Sequence, residues 1–330
     1  MSLYGLDIII DDGFNLIEVN GVNSGMKGFR ELYGDDRIRE TVYSMLNDEY
    51  GLITLNDGVY PGREPRKPLE YVNRFSENLD RIARAPPQII RKSFPFEPYR
   101  GQESTVFNFV NQRIEEEQVN DYEVSEIIGN DFLLSQFLND TWLDDHFPET
   151  APLVKEASES GHIVDVARMS EKMFLKPAKG FTGLGVETLS KGMYNRVLNH
   201  YVNLWKAEED RPLYRSSKKP FRMREFVEEG SFEYERALGV LQPMVGNDKE
   251  EYGCVRAIVC NGEYVDSYER VSDKSIVNYT NGAEAREFEE PERFEEFCEG
   301  VAELLEQGAE DLGEDFREDI YRGYLEERGL

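Results

Sequence analysis

The chain opens with two short runs that are apolar at most positions and carry single polar residues. The first, "LDIII", and the second, "FNLIEVN", are separated by "DDG", a combination typical of tight turns. Strand-like runs flanking such a turn predict a β-hairpin over residues 4–20. Residues 21–29 contain three glycines and are predicted to form a loop that leads into a helix near 35–48.

The next hundred residues show weaker patterns. A helix is predicted near 69–84, and the prolines within 85–101 exclude one there. Residues 103–145 are predicted to be mostly helical and acidic. No strong parallel-strand pattern is visible over 31–129, so this region is predicted to form a mostly helical or α/β domain.

From residue 161 onward, short apolar strands alternate with glycine-containing turns. A strand, a glycine-rich loop and a second strand are predicted over 173–190, a further strand within 234–245, and two strands around an "NGE" turn over 253–271. The acidic tail, 291–330, has apolar residues at helical spacing. The whole pattern predicts an α/β protein built of α+β subdomains.

Three polar side chains of the opening hairpin are predicted to share one face. Glu18 and Asn20 lie two positions apart in one strand and therefore point the same way, and Asp7 on the partner strand can face them. Two carboxylates and an amide oxygen suit Mg²⁺. A solvated hairpin with outward polar residues is the alternative interpretation.

A second candidate is the segment "LKPAKGFTGLGV". Lys176 lies at a strand end, and Gly180, Gly183 and Gly185 follow within one short loop. Glycines allow backbone N–H groups to approach phosphate closely, and the lysine supplies positive charge. The segment is not a Walker loop, because no Gly-Lys-Ser/Thr follows. An ordinary hairpin turn and a phosphate cover both remain open.

A third candidate is a pair of arginines on adjacent predicted strands. Arg256 and Arg270 could neutralise a polyphosphate or an acyl-phosphate, or they could form structural salt bridges. Asn278 follows in a loop. The three histidines lie outside these motifs and are interpreted as structural or surface residues, so a Ser–His or Cys–His nucleophilic site has no support.

Composition restricts the function classes. Asp and Glu number 66 against 38 Lys and Arg, a net charge of −28, which disfavours binding to nucleic acid. Because the acids are spread along the whole chain, adaptation to high salt is favoured over an acidic binding tail. No apolar run suggests a membrane span or a secretion signal. Three cysteines without metal-ligand spacing fit a reducing cytoplasm.

Set together, these motifs resemble the ATP-grasp superfamily, in its branch similar to glutathione synthetase and the ribosomal-protein glutamate ligase. The resembling segments are "FLKPAKGFTGLGV", the hinge-like "LQPMV", "VRAIVCNGEYVDSYERV", "NYTNGA" and "YGLDIIIDDGFNLIEVN". They cover roughly residues 130–305 together with 1–30.

The resemblance implies two lobes that clasp ATP, preceded by another domain. The implied boundaries are a metal-ligand hairpin and acceptor loop over 1–30, a preceding or substrate domain over 31–129, a subdomain with the lysine and glycine-rich loop over 130–240, and a second lobe with C-terminal helices over 241–330.

The resemblance also implies a ligase that joins a carboxylate to an amine or thiol through an acyl-phosphate, using ATP and one or two Mg²⁺ ions, with Mn²⁺ as a substitute. An ATP-grasp phosphotransferase and a non-catalytic ATP-binding protein are the alternatives. The partners of such an enzyme would be a small-molecule or peptide carboxylate and an amine or thiol acceptor. Whether the chain also forms a homodimer is left open.

The resemblance implies four sets of residue roles. They are catalysis by Arg256, Arg270 and Asn278, nucleotide binding by Lys176, Gly180, Gly183, Gly185, Gln242, Met244 and Val245, metal ligation by Asp7, Glu18 and Asn20, and substrate contact by Ser24, Gly25 and Lys27.

Two departures from the family pattern lead to further predictions. The metal-ligand motif stands first in this chain instead of last, which predicts a circular permutation. Phe132 occupies a position where the family often has a phosphate-binding lysine. Lys179, Arg91 or Lys92 are candidates to replace that lysine.

Overall fold

A computed structural model of the 330-residue chain provides the coordinates. The structure describes residues 2–21, 27–35, 37–50, 53–56, 88–90, 105–108, 119–139, 141–154, 172–177, 186–190, 212–215, 220–222, 237–245, 251–275, 277, 282–313 and 315–330.

Fourteen strands lie within these residues. They are β1 Leu3–Ile10, β2 Phe14–Asn20, β3 Ile53–Asn56, β4 Gln88–Ile90, β5 Thr105–Asn108, β6 Ala151–Val154, β7 Lys172–Pro177, β8 Glu187–Ser190, β9 Pro212–Arg215, β10 Pro220–Arg222, β11 Ala237–Pro243, β12 Tyr252–Cys260, β13 Glu263–Ser272 and β14 Glu284–Arg286.

Six α-helices and one 3₁₀-helix are described alongside the strands. The α-helices are α1 Lys27–Tyr33, α2 Arg37–Tyr50, α3 Tyr122–Ile128, α4 Asp131–Leu138, α5 Phe294–Glu310 and α6 Phe316–Glu327, and the 3₁₀-helix is Asp144–His146. In the part of the chain with described coordinates, no helix is long and apolar enough to cross a membrane.

The strands form a mixed α/β architecture with two larger antiparallel sheets. The first has five strands in the order β14-β13-β12-β1-β2, and the second has four in the order β6-β11-β7-β8. The predicted opening hairpin is β1 and β2. It joins the sheet through β12, a strand from the far end of the sequence, so the five-stranded sheet is completed only when both ends of the chain meet.

The predicted "NGE" turn connects β12 to β13. Asn261 and Gly262 both have positive φ values, 51° and 78°. Two such residues in a two-residue connection favour the twist of antiparallel strands, and Asn-Gly is the sequence that adopts this conformation most readily.

The region 31–129 contains short parallel strands that its sequence pattern did not reveal. We found no strong parallel-strand pattern there, yet β3 pairs in parallel with both β4 and β5. These strands are only three or four residues long, which is too short for a hydrophobic pattern to stand out from the background.

The two faces of the five-stranded sheet have opposite characters because side chains alternate along each strand. Leu6 and Ile8 of β1 lie in the main hydrophobic core together with residues of α3, α4, α5 and α6. Asp7 lies between them in sequence and so points to the other face. That polar face carries the candidate site.

The first two helices cover part of the polar face. Phe29 of α1 packs edge-on against Tyr268 of β13, with ring centroids 4.7 Å apart. The Tyr33 hydroxyl donates to Asp266 at 3.4 Å. These contacts hold α1 against the sheet beside the polar cluster.

Candidate functional site

A buried ion cluster lies at the centre of the polar face. Arg256 of β12 donates from Nε to Asp7 Oδ1 at 2.5 Å and from Nη2 to Asp7 Oδ2 at 2.8 Å. Arg270 of β13 places Nη2 2.5 Å from the same Oδ1. The exposed fractions are 3% for Asp7, 5% for Arg256 and 6% for Arg270, so water contributes little to this cluster.

Strand register explains why these three residues meet. Asp7 is the cross-strand partner of Arg256, and Arg270 lies one strand further, opposite Cys254. One carboxylate between two guanidiniums leaves a net positive charge of one. Burial alone would raise the pKa of Asp7, but the two arginines lower it to about 2, so the carboxylate is ionised at neutral pH.

Arg270 also contacts Cys254. Its Nη2 lies 3.1 Å from the Cys254 Sγ atom. Burial raises the pKa of this thiol to about 11, so Cys254 is a neutral thiol and not a nucleophile at neutral pH. The Arg270 Nε is buried and has no hydrogen-bond acceptor in the described part of the chain.

Glu18 and Asn20 extend the cluster onto the edge strand. Glu18 is the cross-strand partner of Asp7, and Asn20 is the partner of Gly5. Both polar atoms of the Asn20 side-chain amide are hydrogen-bonded when its nitrogen donates to Glu18 Oε1 at 3.2 Å and its oxygen accepts from Arg256 Nη2 at 3.2 Å. The three predicted oxygen donors therefore share one face, as the alternation of side chains requires.

Glu18 differs electrostatically from Asp7. Burial and the nearby negative charge of Asp7 raise the pKa of Glu18 to about 7, against an opposing effect of Lys176. Two neighbouring carboxyls thus have pKa values on opposite sides of the usual range. The difference arises because the guanidiniums bind Asp7 directly.

Lys176 reaches the same region from the second sheet. It lies in β7, and its Nζ is 3.7 Å from Asp131 Oδ2 at the first turn of α4. Its charge acts on both Asp131 and Glu18. The structure thus brings the lysine strand next to the opening hairpin, more than 150 positions earlier in the sequence.

Asp131 was not among the predicted site residues. The sequence holds one signal for it, an acid directly after Asn130, whose side chain accepts from the backbone N–H groups of Phe132 and Leu133 and so caps α4. Burial raises the pKa of Asp131 despite the adjacent lysine. Phe132 itself points into the hydrophobic core and takes no part in the site.

The predicted nucleotide hinge lies beside Lys176 in the second sheet. Gln242 of β11 is buried, and its amide nitrogen is 3.5 Å from Thr150 Oγ1. The backbone N–H of Met244 donates to the Lys172 carbonyl at 3.1 Å. Met244 and Val245 are half-buried and follow directly after β11.

The three predicted metal ligands do not all fit a divalent cation. Three of about four acceptor positions on the Asp7 carboxylate are filled by guanidinium nitrogens, and both neighbouring cations repel a divalent ion. Of the other two, Glu18 offers a carboxylate, whereas the Asn20 amide turns its nitrogen to Glu18 and its oxygen to Arg256 Nη2. Among the described residues, no group of three or more His, Cys, Asp or Glu side chains is placed to hold a metal ion.

Several predicted residues lie outside the described part of the chain. They are Ser24, Gly25, Gly180, Gly183, Gly185 and Asn278. Lys27 begins α1, and its side chain is likewise not described. Of the histidines, His146 contacts the backbone carbonyl of Phe14 through Nδ1 at 2.7 Å, a structural contact.

Comparison with known proteins gives matches in structure only. No protein-family model matches the sequence, and no curated protein matches it. Among solved structures, the chain is similar to a protein described as a gamma-glutamylcysteine synthetase from Methylobacillus flagellatus, with 13% identity, coverage of 93% of this chain and 88% of that chain, and a TM-score of 0.43.

Two further similar structures have comparable values. A RimK domain ATP-grasp protein from Sphaerobacter thermophilus has 13% identity over 77% of this chain and 82% of that chain, with a TM-score of 0.43. D-alanyl-alanine synthetase A from Vibrio cholerae has 12% identity over 79% of this chain and 82% of that chain, with a TM-score of 0.41. At TM-scores below 0.5 we draw no conclusion about activity from these likenesses.

Proposed function

We propose that the protein is an ATP-dependent ligase that joins a carboxylate to an amine or thiol through an acyl-phosphate. The observation that supports this most is that Lys176, paired with Asp131, acts electrostatically on Glu18, which lies beside the buried pair Arg256 and Arg270. Phosphoryl transfer requires positive charge placed around the transferring group and little covalent help from the protein, and this cluster offers such an arrangement.

In the proposed reaction, a carboxylate oxygen of the substrate attacks the γ-phosphorus of ATP, and the bond to ADP breaks. The acyl-phosphate then accepts an amine or thiol at its carbonyl carbon. Phosphate leaves, and the nucleophile loses its proton. The net products are an amide or thioester, ADP and phosphate.

Each group of side chains has a proposed role in this reaction. Lys176 would bind phosphate oxygens, and the backbone after β11, with Gln242, Met244 and Val245, would border the adenine. Arg256 and Arg270 would neutralise the acyl-phosphate. The Arg270 Nε has no acceptor among the described residues and would donate a hydrogen bond to a phosphate oxygen.

A divalent cation belongs to this proposal, because it would supply charge neutralisation for the triphosphate. Glu18 is the carboxylate that would hold it, and ligation by Asn20 stays a prediction. The remaining predicted contacts, from the glycine-rich loop, Asn278, Ser24, Gly25 and Lys27, stay predictions, as do the domain boundaries and the circular permutation.

The donor carboxylate can be sought with an assay in which hydroxylamine takes the place of the acceptor. Hydroxylamine converts acyl-phosphates into hydroxamates, which give a coloured iron complex. The protein should form hydroxamates from at least one member of a panel of amino acids and small peptides, in an ATP-dependent manner. Lys176→Ala should abolish the signal.

The same assay separates the proposal from its main alternative. A phosphotransferase acting on a hydroxyl would release ADP and give a stable phosphoester that hydroxylamine does not trap. ADP release without hydroxamate, across a panel that includes hydroxyl compounds, would therefore favour the kinase and contradict the ligase. No binding of ATP by the folded protein would contradict both.

A further inference from the structure

We infer that Asp131 is a positioning residue for Lys176: its carboxylate holds the lysine ammonium in one place before the nucleotide binds. This role rests on the proposed function, which gives Lys176 the phosphate oxygens of ATP. Asp131 itself was not among the predicted site residues.

The lysine side chain is the flexible partner of this ion pair. Lys176 Nζ lies 3.7 Å from Asp131 Oδ2, and the two side chains are 14% and 17% exposed. The backbone of Lys176 is held in β7, where it pairs with Val240 of β11. The long stem has several rotatable bonds, and a fixed carboxylate at its tip removes much of that freedom.

Asp131 is held firmly at the start of α4. The Asn130 side chain accepts from the backbone N–H groups of Phe132 and Leu133 and so caps the helix. Phe132, Leu133 and Leu134 lie in the hydrophobic core. A carboxylate in the first turn is also favoured by the partial positive charge of the helix N-terminus. The carboxylate therefore keeps its place as long as α4 stays packed into the core.

Glu18 does not take the place of Asp131 as the partner of the lysine. Among the described residues, the ion pair formed by Lys176 within 4 Å is the one with Asp131. The charge of Lys176 acts on Glu18 from further away, and a Glu18 oxygen accepts from the Asn20 amide. Burial raises the pKa of Asp131, and the charge of Lys176 opposes that rise, so the lysine helps to keep its partner ionised.

A negative charge beside a phosphate-binding lysine has two opposite effects on catalysis. It orients the ammonium, which favours the transition state, and it repels the triphosphate, which disfavours binding. A residue needed only for the folding of the site would support both binding and turnover. The comparison of kcat with the affinity for AMP-PNP therefore separates a positioning role from a general structural one.

Asp131→Asn keeps the size of the side chain and removes its charge. Its kcat in the hydroxamate assay, at saturating ATP and hydroxylamine, should fall by about 10- to 100-fold, because the ammonium is no longer held in place. Isothermal titration should show AMP-PNP bound at least as tightly as by the wild type. Asp131→Glu keeps the charge but moves it by one methylene, and its kcat should lie between those of Asp131→Asn and the wild type.

Asp319→Asn is the matched control, because Asp319 is an acid in the first turn of α6 and pairs with Arg322 at the surface. It should change neither kcat nor the affinity for AMP-PNP. A kcat of Asp131→Asn equal to that of the wild type would overturn the inference. A parallel loss of kcat and affinity in Asp131→Asn would overturn it as well, because positioning predicts that the two quantities change differently.

The position of the ammonium can be measured without turnover. In ¹H–¹⁵N spectra of the nucleotide-free protein, a buried, ion-paired lysine ammonium exchanges slowly with water and gives a resolved signal, which its loss in Lys176→Ala assigns. The signal should be present in the wild type and absent from Asp131→Asn. A signal that persists in Asp131→Asn, or one that is missing from the wild type, would contradict a fixed ion pair. The wild-type spectrum decides the point if Asp131→Asn does not fold. A wild type that forms no hydroxamate would remove the proposed function, while the spectra would still show whether Asp131 holds Lys176.

Discussion

The Lys176 ammonium lies 3.7 Å from a carboxylate oxygen of Asp131, and this ion pair connects β7 of one sheet to the first turn of α4. Both side chains are mostly buried, with 14% and 17% exposed. An ammonium on a flexible stem gains a defined position from such a partner before any ligand arrives. The charge of the same ammonium also lowers the pKa of Glu18, against the larger effect of burial.

The first prediction concerns this lysine. Lys176→Ala should reduce kcat/KM at least about a hundredfold, because it removes a positive charge from a transition state that is stabilised mainly by charge. Isothermal titration with AMP-PNP should show weaker binding in parallel. Lys172→Ala is the matched control, since Lys172 lies on the same strand about 13 Å away.

The control should retain both the affinity and the turnover of the wild type within a few-fold. Turnover of Lys176→Ala close to that of the wild type would remove Lys176 from the proposed phosphate site. An equal loss in both lysine variants would instead indicate a general effect of charge on a strongly acidic protein.

The second prediction concerns the buried ion cluster. Asp7→Asn should lower the free energy of unfolding by about 3–5 kcal/mol, because it leaves two buried guanidiniums without their counter-ion. Urea denaturation with Mg²⁺ chelated gives the measurement. Adding Arg270→Gln should restore part of the loss, as expected for residues that interact directly.

An exposed ion pair provides the comparison for that experiment. Arg286 and Glu251 lie 2.6 Å apart on the surface, and about half of each side chain is exposed to water. Glu251→Gln should therefore change the stability little. If Asp7→Asn lowers the free energy of unfolding no more than Glu251→Gln does, Asp7 is not a buried counter-ion of the two arginines.

The sequence was sufficient to predict the central part of this arrangement. Alternation along two short strands placed Asp7, Glu18 and Asn20 on one face, and the structure has them on one face of the hairpin. The Asn-Gly turn correctly predicted the pairing of the strands that carry Arg256 and Arg270. Such local rules hold because they depend on neighbouring residues and on the fixed geometry of strands.

The partners of these residues could not be predicted in the same way. Whether Asp7 faces a metal or two arginines depends on the register of β1 against β12, a pairing between the two ends of the chain. The pairing of Lys176 with Asp131 depends on how a helix packs beside the second sheet. Hydrophobic and polar patterns within a short stretch of sequence contain no information on contacts between residues that are far apart along the chain.

The third prediction concerns Phe132, where the family resemblance would place a lysine. Phe132 is 3% exposed and packs edge-on against Tyr324, with ring centroids 5.5 Å apart. Phe132→Lys should cost more than about 3 kcal/mol of stability, because it removes a core ring and buries a charge. It should not improve the affinity for AMP-PNP, since the side chain points into the core.

Phe132→Leu is the conservative control and should cost about 1.5 kcal/mol or less in the same urea titration. A Phe132→Lys protein that folds normally and binds AMP-PNP more tightly would show that this position borders the nucleotide. The proposed division between core and site at the start of α4 would then be wrong.

The last prediction follows from the raised pKa of Glu18, about 7 against the ordinary 4.5. A carboxyl with a raised folded-state pKa binds its proton more tightly in the folded protein, so its contribution to stability is complete below pH 4.5 and is lost as the pH rises toward 7. The stability of the wild type relative to Glu18→Gln should therefore fall by about 2–3 kcal/mol between pH 4.5 and 8, measured by urea unfolding in EDTA. Asp7 does not contribute to this change, because its lowered pKa places its own titration below pH 4.

Glu310→Gln, on the exposed surface of α5, provides the control for the loss of a single acid. The difference in free energy of unfolding between this variant and the wild type should stay level over the same pH range. A level difference for Glu18→Gln as well would mean that Glu18 is ionised and solvated like a surface residue, and the contrast between the two carboxyls of the hairpin would be lost.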